Sequence, residues 1–329
     1  MKIEVNTHSK NMLRMAREHP EIVVMSADLG TSCEIKEFHE QYPERYFSLG
    51  IAEQNMCSWA AGLAREGFRP FIHTFAVFLY RRILDQLEMS VAYPNLPVVF
   101  MGFVPGITTP GGVTHQSTND VGVLRTVPNL AIFDIGDATE IDGVLDMAYD
   151  YNGPVYLRML RKEVPRLFAS SEPMQFNRAR VLSEGSDITL LSSSICTEEA
   201  MRATAVLKEM GVSVQHLHVS TLKPFTDPQV AEACQKAKYG VVTIENGTVI
   251  GGLGSAVADV MAENGIGKRL VKVGLNDTYA HGASKMYLLK KYHMGAMDLI
   301  GAVEKLMGKE LGIQEQDMED IRFVDFSAV

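Results

Sequence analysis

The sequence is poor in residues that could cross-link the chain. Only four of its 329 residues are cysteines, Cys33, Cys57, Cys196 and Cys234, and none forms a Cys-x-x-Cys pair. This spacing indicates neither a disulfide framework nor a zinc site, and we expect reduced, buried thiols. Apolar runs of the roughly 20 residues that cross a bilayer are also missing, and the first residues lack the apolar core of a signal peptide. We therefore expect a cytoplasmic protein that has no membrane partner.

Positive charge is scarce as well. Lys and Arg total 31 against 40 Asp and Glu, and the net charge is −9. This balance excludes a nucleic-acid binder that works through a broad basic surface. The hydrophobic fraction of 46% over this length is enough for two ordinary domain cores.

Short β-rich apolar runs alternate with longer helical patterns along the chain. This alternation predicts an α/β protein with two doubly wound domains. In the first domain we predict strands at 22–25, 46–49, 71–73, 98–103, 130–134 and 155–160, and the clearest helices at 53–65 and 82–93. In the second we predict strands at 188–192, 212–218, 240–244 and 270–273, and helices at 198–210, 228–237 and 254–262.

A break in periodicity divides the two patterns. We predict a first domain at 1–165, a linker at 166–180 and a second domain at 181–308. Residues 309–329 carry six acids against two bases, and we expect an acidic extension that is an appendage or a partly ordered arm.

Two motifs of the second domain have both a functional and a structural interpretation. The Gly-rich turn 251–254 could hold an anion at a helix start, but its glycine spacing departs from Gly-x-Gly-x-x-Gly, which favours close helix–strand packing. His216 and His218 share a strand face, as two metal ligands could. No third ligand is apparent, and a strand-end or domain-contact role is favoured.

Three segments of the first domain carry more chemistry. Glu53 lies in the first turn of an apolar helix directly after a strand, where an acid can simply compensate the helix dipole. A glycine- and proline-containing loop at 105–116 ends in Thr114-His115-Gln116, and Phe75 and Phe78 follow another strand. An acid, an imidazole and aromatic faces are thus predicted at one edge of one sheet, where α/β proteins bind ligands.

With these segments in order, the chain resembles the C-terminal half of a transketolase, in the form encoded as a separate subunit in bacteria with split transketolases. The resemblance extends to about residue 308. It rests on Ser26-Ala27-Asp28-Leu29, the block from Pro43 to Met56, the Phe75/Phe78 segment, Thr114-His115-Gln116, Pro128-Asn129, the run from Gly153 to Arg158, Ile244-Glu245-Asn246 and Gly282-Ala283-Ser284.

The resemblance implies thiamine diphosphate chemistry. Glu53 matches the glutamate that faces the ring nitrogen N1′ of the aminopyrimidine, and in an apolar, desolvated setting it would share a proton with that nitrogen. Phe75, Phe78 and Ile51 match positions that contact the cofactor. The cofactor is the electron sink that holds a two-carbon unit between a ketose donor and an aldose acceptor.

The resemblance also assigns substrate positions. His115 matches a histidine beside the reacting carbons, placed to bind a hydroxyl or the oxyanion. Ser32 and Arg161 match positions that contact the distal anionic group of the sugar.

Several positions depart from the family pattern. Gly111 replaces an acid that contacts donor hydroxyls, Phe103 stands where a phosphate-contacting histidine is usual, and Arg81 replaces a common aromatic residue. The usual N-terminal arginine is missing near residues 6–8. We therefore hypothesise a ketose that differs from an ordinary pentose phosphate, either modified, branched or differently charged.

Half of the family's machinery is missing from the sequence. The family binds Mg²⁺ and the diphosphate through a Gly-Asp-Gly motif, which this sequence lacks. An N-terminal transketolase subunit is therefore expected to ligate the Mg²⁺, in an α2β2 assembly that is active only when paired. Two alternatives remain. One is a decarboxylating relative, either a 2-oxoacid dehydrogenase β subunit or a deoxyxylulose-phosphate-synthase-like protein, and the other is a non-catalytic α/β scaffold module.

Overall fold

The computed structural model describes residues 2–319 and 321. The strands are β1 (Ile3–Glu4), β2 (Ile22–Ser26), β3 (Tyr46–Ser48), β4 (Arg69–Phe75), β5 (Val99–Phe103), β6 (Ala131–Asp134), β7 (Val155–Met159), β8 (Val164–Pro165), β9 (Arg180–Ser183), β10 (Ile188–Ser192), β11 (Val214–His218), β12 (Thr221–Lys223), β13 (Gly240–Thr248) and β14 (Leu270–Leu275). The helices are α1 (Thr7–Glu18), α2 (Lys36–Gln41), α3 (Glu53–Arg65), α4 (Ala76–Arg81), α5 (Leu84–Gln86), α6 (Asp120–Leu124), α7 (Ala138–Asp150), α8 (Cys196–Glu209), α9 (Pro228–Lys236), α10 (Leu253–Glu263), α11 (Lys285–Lys291), α12 (Ala296–Met307) and α13 (Glu315–Glu319).

The first sheet has seven strands in the order β12-β6-β7-β5-β4-β2-β3. All neighbouring strands pair in parallel except β12, which runs antiparallel to β6. Its central strands β2, β5 and β7 are buried at every position, as expected when helices cover both faces of a parallel sheet. The predicted α/β class is therefore confirmed.

Helix α3 has the bounds that the sequence predicts, because Met56, Cys57, Ala60, Ala61 and Ala64 form the buried stripe. The helix predicted at 82–93 is helical from Leu84 to Ala92, but it is not one uniform α-helix. The chain there forms the short α5, followed by a π-helical turn at Leu87–Ala92. Ile83, Leu87 and Val91 are still buried, so the apolar stripe indicated burial correctly but not the winding of the backbone.

The second sheet has the order β14-β13-β10-β11-β9, with β9 antiparallel at one edge. Strand β12 follows β11 in sequence but joins the first sheet beside β6. The two units therefore share a strand as well as a surface, and this exchange has no signal in the hydrophobic pattern.

A buried ionic cluster joins the two units. The Arg158 side chain, 2% exposed, donates to the carboxylates of Asp120 and Asp134 at 3.0 and 2.8 Å. It also donates to the carbonyl oxygen of Asn246 in the second unit at 2.8 Å. The two carboxylates neutralise the guanidinium. Asp134 also accepts a hydrogen bond from Ser193 of the second unit, so the cluster links the two units.

The described part of the acidic extension packs against the second unit. Met318 is buried, and the carbonyl oxygens of Met318 and Ile321 accept hydrogen bonds from Arg202. The expected appendage is thus docked on α8 up to this point, and the remainder of 309–329 lies outside the described residues.

Candidate active site

The candidate site lies at the point of the first sheet where successive connections leave β2 towards opposite sides. From β2 the chain passes to β3 on one side and then to β4 on the other side. In open α/β sheets this arrangement opens a crevice at the carboxyl ends of the strands. Ser32 follows β2, Glu53 follows β3 and Phe75 ends β4, so the predicted residues converge on this crevice.

Glu53 is the first residue of α3, and its side chain is 4% exposed. Gly50 takes the left-handed conformation with φ of 67°, which turns the chain from β3 into the helix. The Glu53 Oε1 atom accepts a hydrogen bond of 2.6 Å from Nη1 of Arg82. The carboxyl is desolvated, as expected, but its setting is not simply apolar, because a guanidinium pairs with it.

The aromatic side chains form a platform beside Glu53, which we call the Phe75/Phe78 platform. The two rings stack with centroids 6.0 Å apart and planes inclined by 22°. His115 meets both rings edge to face, at 6.2 Å from Phe75 and 5.8 Å from Phe78. The guanidinium carbon of Arg82 lies 3.9 Å from the centre of the Phe78 ring.

The loop that carries His115 is held close to this platform. Arg81 donates to the carbonyl oxygen of Val113 at 3.0 Å, so this departure from the family pattern fastens the loop. A Cβ atom at Gly111 would lie 2.9 Å from the Cβ of His115. The glycine that replaces the usual acid therefore leaves room for the histidine.

The second unit holds the start of the same loop. Asn246 accepts from the Ile107 N–H at 3.0 Å and donates to the Pro105 carbonyl oxygen at 3.1 Å. A Cβ at Gly106 would lie 2.0 Å from Asn246 Oδ1, so only glycine allows this approach. The resemblance pointed to residues 244–246 without assigning this role, and their hydrophobic pattern gave no signal for it.

The residues expected at the distal end of the sugar lie together. Arg161 Nη1 donates to the carbonyl oxygen of Ser32 at 2.9 Å, and its guanidinium carbon is 5.3 Å from the Phe75 ring centre. Ser32 lines a cavity of about 260 Å³, and Arg161 lines another of about 290 Å³. Phe103 is fully buried against His8 and does not face either cavity.

Two expected positions stand apart from these contacts. Ile51 is 74% exposed and lies two residues before Glu53, on the outer surface of this chain. Gly111 lies against His115 at the edge of the site, and it has no side chain that could contact a sugar.

The Gly-rich turn packs against the protein's own carboxylate. Glu245 accepts hydrogen bonds from the backbone N–H groups of Leu253 and Gly254 at the start of α10. A Cβ at Gly252 would overlap Glu245 Oε2 at 1.7 Å, so the packing interpretation is confirmed. Burial is the main cause that raises the pKa of Glu245 to about 7.

His216 and His218 lie in a buried hydrogen-bond network. His218 Nε2 is 3.0 Å from Glu140 Oε1 of the first unit, which confirms the domain-contact interpretation. His216 bonds to Ser192 and Thr204. Within residues 2–319 and 321, no group of three or more His, Cys, Asp and Glu is arranged to hold a metal ion. Over the same residues, no helix combines the length and apolarity required to traverse a bilayer.

Comparison with known proteins identifies the two units. Residues 5–166 match the family model of the transketolase pyrimidine-binding domain, and residues 177–296 match that of the transketolase C-terminal domain. The chain is 33% identical over 306 residues to the "Putative transketolase C-terminal section" of Methanocaldococcus jannaschii, covering 92% of this chain and 96% of that protein.

Two further relatives are similar over nearly their whole length. The chain is 35% identical over 302 residues to the "6-deoxy-6-sulfo-D-fructose transketolase subunit SqwH" of Clostridium sp. (strain MSTE9), covering 92% of this chain and 93% of that protein. A solved structure, "Split gene transketolase, inactive beta4 tetramer", superposes with a TM-score of 0.84 at 36% identity, covering 92% of this chain and 97% of that one. The chain belongs to the transketolase family, and these relatives are split transketolase subunits.

Proposed function

We propose that this chain is the C-terminal subunit of a heteromeric transketolase, which transfers a two-carbon ketol unit from an anionic ketose to an aldose. The observation that carries the proposal is the convergence of buried Glu53, the Phe75/Phe78 platform and His115 at the switch point of one sheet. A carboxylate beside stacked aromatic rings suits a flat nitrogen base, and an imidazole beside them suits a reacting oxygen.

The residues fit the aminopyrimidine half of thiamine diphosphate. Glu53 offers a carboxylate acceptor close to the Phe75/Phe78 platform, and the rings of the platform offer flat apolar faces. Glu53, Phe75 and Phe78 would therefore hold the ring, with Ile51 at its exposed border. When bound, the cofactor supplies a nucleophilic carbon that accepts and returns the two-carbon unit.

The chain's own groups have separate tasks in this proposal. Glu53 holds or shares a proton at the ring nitrogen that faces it. His115 donates a hydrogen bond to a substrate hydroxyl or to the oxygen that becomes negative during transfer. Arg161, with Ser32 beside it, binds the distal anion of the sugar.

We propose a sulfonated or similarly modified ketose ahead of an ordinary pentose phosphate as donor. Gly111 offers no carboxylate to the donor hydroxyls, and the relative SqwH is named for 6-deoxy-6-sulfo-D-fructose. A sulfonate and a phosphate are both tetrahedral oxyanions that an arginine can bind through two N–H groups.

We also propose that an N-terminal subunit completes the site by supplying the Mg²⁺ and diphosphate ligands, in an α2β2 assembly. The sequence has no Gly-Asp-Gly motif, and the solved relative without a named partner is described as inactive. The partner should be a chain of similar size that carries this motif, and a cytoplasmic location suits sugar substrates of this kind.

The test is reconstitution with a candidate N-terminal subunit, a chain of similar size that carries the Gly-Asp-Gly motif. The pair, with thiamine diphosphate and Mg²⁺, should transfer a ketol unit from 6-deoxy-6-sulfo-D-fructose more efficiently than from xylulose 5-phosphate, and each subunit alone should be inactive. Glu53→Gln should lower kcat by about 10² or more. Efficient use of xylulose 5-phosphate would refute the substrate proposal. Release of CO₂ from pyruvate would instead establish the decarboxylating alternative, and full activity of Glu53→Gln would leave only a scaffold role.

A further inference from the structure

The Glu53 carboxylate is held by a side chain to which the function proposed above gives no role. Arg82 lies 29 residues later in the chain, immediately after α4, and its Nη1 atom is 2.6 Å from Glu53 Oε1. The Glu53 side chain is 4% exposed and that of Arg82 is 41% exposed. A carboxylate buried to this extent needs a partner, because an unpaired buried charge is strongly destabilising.

Arg82 is itself held in place by the platform. Residues four apart on a helical turn face the same side, and the Arg82 guanidinium carbon lies 3.9 Å from the centre of the Phe78 ring. The flat face of the guanidinium stacks on the Phe78 ring, and its Nη1 atom donates a hydrogen bond to Glu53, so two contacts restrict its position. These two contacts, which we call the clamp, anchor the guanidinium at more points than an exposed ion pair alone would.

The clamp engages only one carboxylate oxygen. Glu53 Oε1 accepts from Arg82, whereas no hydrogen bond to Oε2 occurs among residues 2–319 and 321. A carboxylate with one oxygen fixed has its rotation about the last side-chain bond restricted, so the direction of the second oxygen is also set.

We propose that Arg82 is a positioning residue of the ketol transfer. It holds Oε1 so that Oε2 is left for the ring nitrogen of a base that packs on the Phe75 side of the platform, beside the guanidinium on Phe78. The inference rests on the function proposed above, and it adds a residue that acts through Glu53.

The test is a double-mutant cycle measured as thiamine diphosphate affinity of the reconstituted pair. Arg82→Met keeps an apolar stem against Phe78 but removes the donor, and it should weaken cofactor affinity about tenfold. Arg82→Lys keeps charge and a donor and should recover most of the loss. In a Glu53→Ala background, Arg82→Met should change the affinity by less than about twofold, because nothing remains to be positioned.

The controls separate this role from a structural one. Arg65→Met alters an exposed arginine on the last turn of α3, and it should leave the affinity unchanged. If the effects of Arg82→Met and Glu53→Ala simply add, Arg82 acts on the cofactor directly and the proposal is overturned. Unaltered affinity in Arg82→Met overturns it too. A wild-type pair that binds no thiamine diphosphate overturns the proposed function itself and the inference with it.

Discussion

At the scale of single residues, His115 is expected to contribute to transfer and not to cofactor binding. Its ring meets the platform edge to face, and Thr114 Oγ1 lies 2.8 Å from Nδ1. His115→Ala should lower kcat/KM of the reconstituted pair by about 10²–10³, because one donor to the developing oxyanion is lost. Thiamine diphosphate affinity should change little. A steady-state assay with a cofactor titration checks both, and His293→Ala at an exposed position of the second unit serves as control.

Gly111 leads to a second residue-scale prediction, opposite to what the family pattern suggests. Restoring the acid by Gly111→Asp would place a Cβ within 2.9 Å of the His115 Cβ. The histidine must then move, and overpacking of this kind costs about 1–3 kcal/mol. We expect kcat for every ketose to fall about tenfold or more. An increase in activity with xylulose 5-phosphate would contradict this account.

At the scale of elements, the loop at 105–116 depends on the second unit. Asn246 provides both an acceptor and a donor to the first residues of the loop, and Gln116 donates to the carbonyl oxygen of His281 at 3.1 Å. The C-terminal unit thus acts as a support for the segment that carries His115.

Removal of this support should affect the reaction and the stability together. Asn246→Ala leaves the Ile107 N–H without its partner, which costs about 1–3 kcal/mol of unfolding free energy, and the Pro105 carbonyl keeps only its hydrogen bonds from Thr108. A loosened loop should lower kcat about tenfold, while cofactor affinity stays the same. Denaturant unfolding and kinetics measure the two effects. Asn264→Ala, which removes a hydrogen bond within an exposed helix end, is the matched control. A wild-type kcat in Asn246→Ala would show that the loop at 105–116 keeps its position without Asn246.

The sequence predicts elements whose signals are local. Helix α3 follows from its apolar spacing, and the site residues that follow strands come together because parallel strands end at one edge of a sheet. Arg82 could not be identified, because its partner is distant in sequence and the uniform stripe at 82–93 hides a change of winding. Asn246 and β12 depend on how the two units pack, which hydrophobic periodicity does not encode.

At the scale of the whole molecule, the two units are joined by polar groups that are taken out of water. Arg158 connects two acids of the first unit to the second unit, and His218 reaches Glu140 across the same contact. Burial acts to raise the pKa of Glu140, but its contact with His218 and hydrogen bonds from Ser220 and the Gly136 N–H bring that pKa below its usual value. These contacts are satisfied only in one arrangement of the units, so they favour a single domain orientation.

Buried histidines should make the whole molecule sensitive to acid. Burial, aided by the neighbouring His218, lowers the pKa of His216 from 6.5 to about 3, so the folded chain keeps this ring neutral. Stability from such a group is present above the unfolded value of 6.5 and is lost as the pH falls towards the folded value. Between these limits the loss of unfolding free energy is about 1.4 kcal/mol per pH unit for one histidine.

The variant His216→Gln tests this effect, because it keeps an amide that can bond to Ser192 but removes the group that titrates. In urea unfolding of the isolated chain at pH 7, 6 and 5, the variant should show a slope of unfolding free energy against pH that is smaller by about one proton. Equal slopes in the two proteins would mean that His216 is protonated as readily in the folded chain as in the unfolded one.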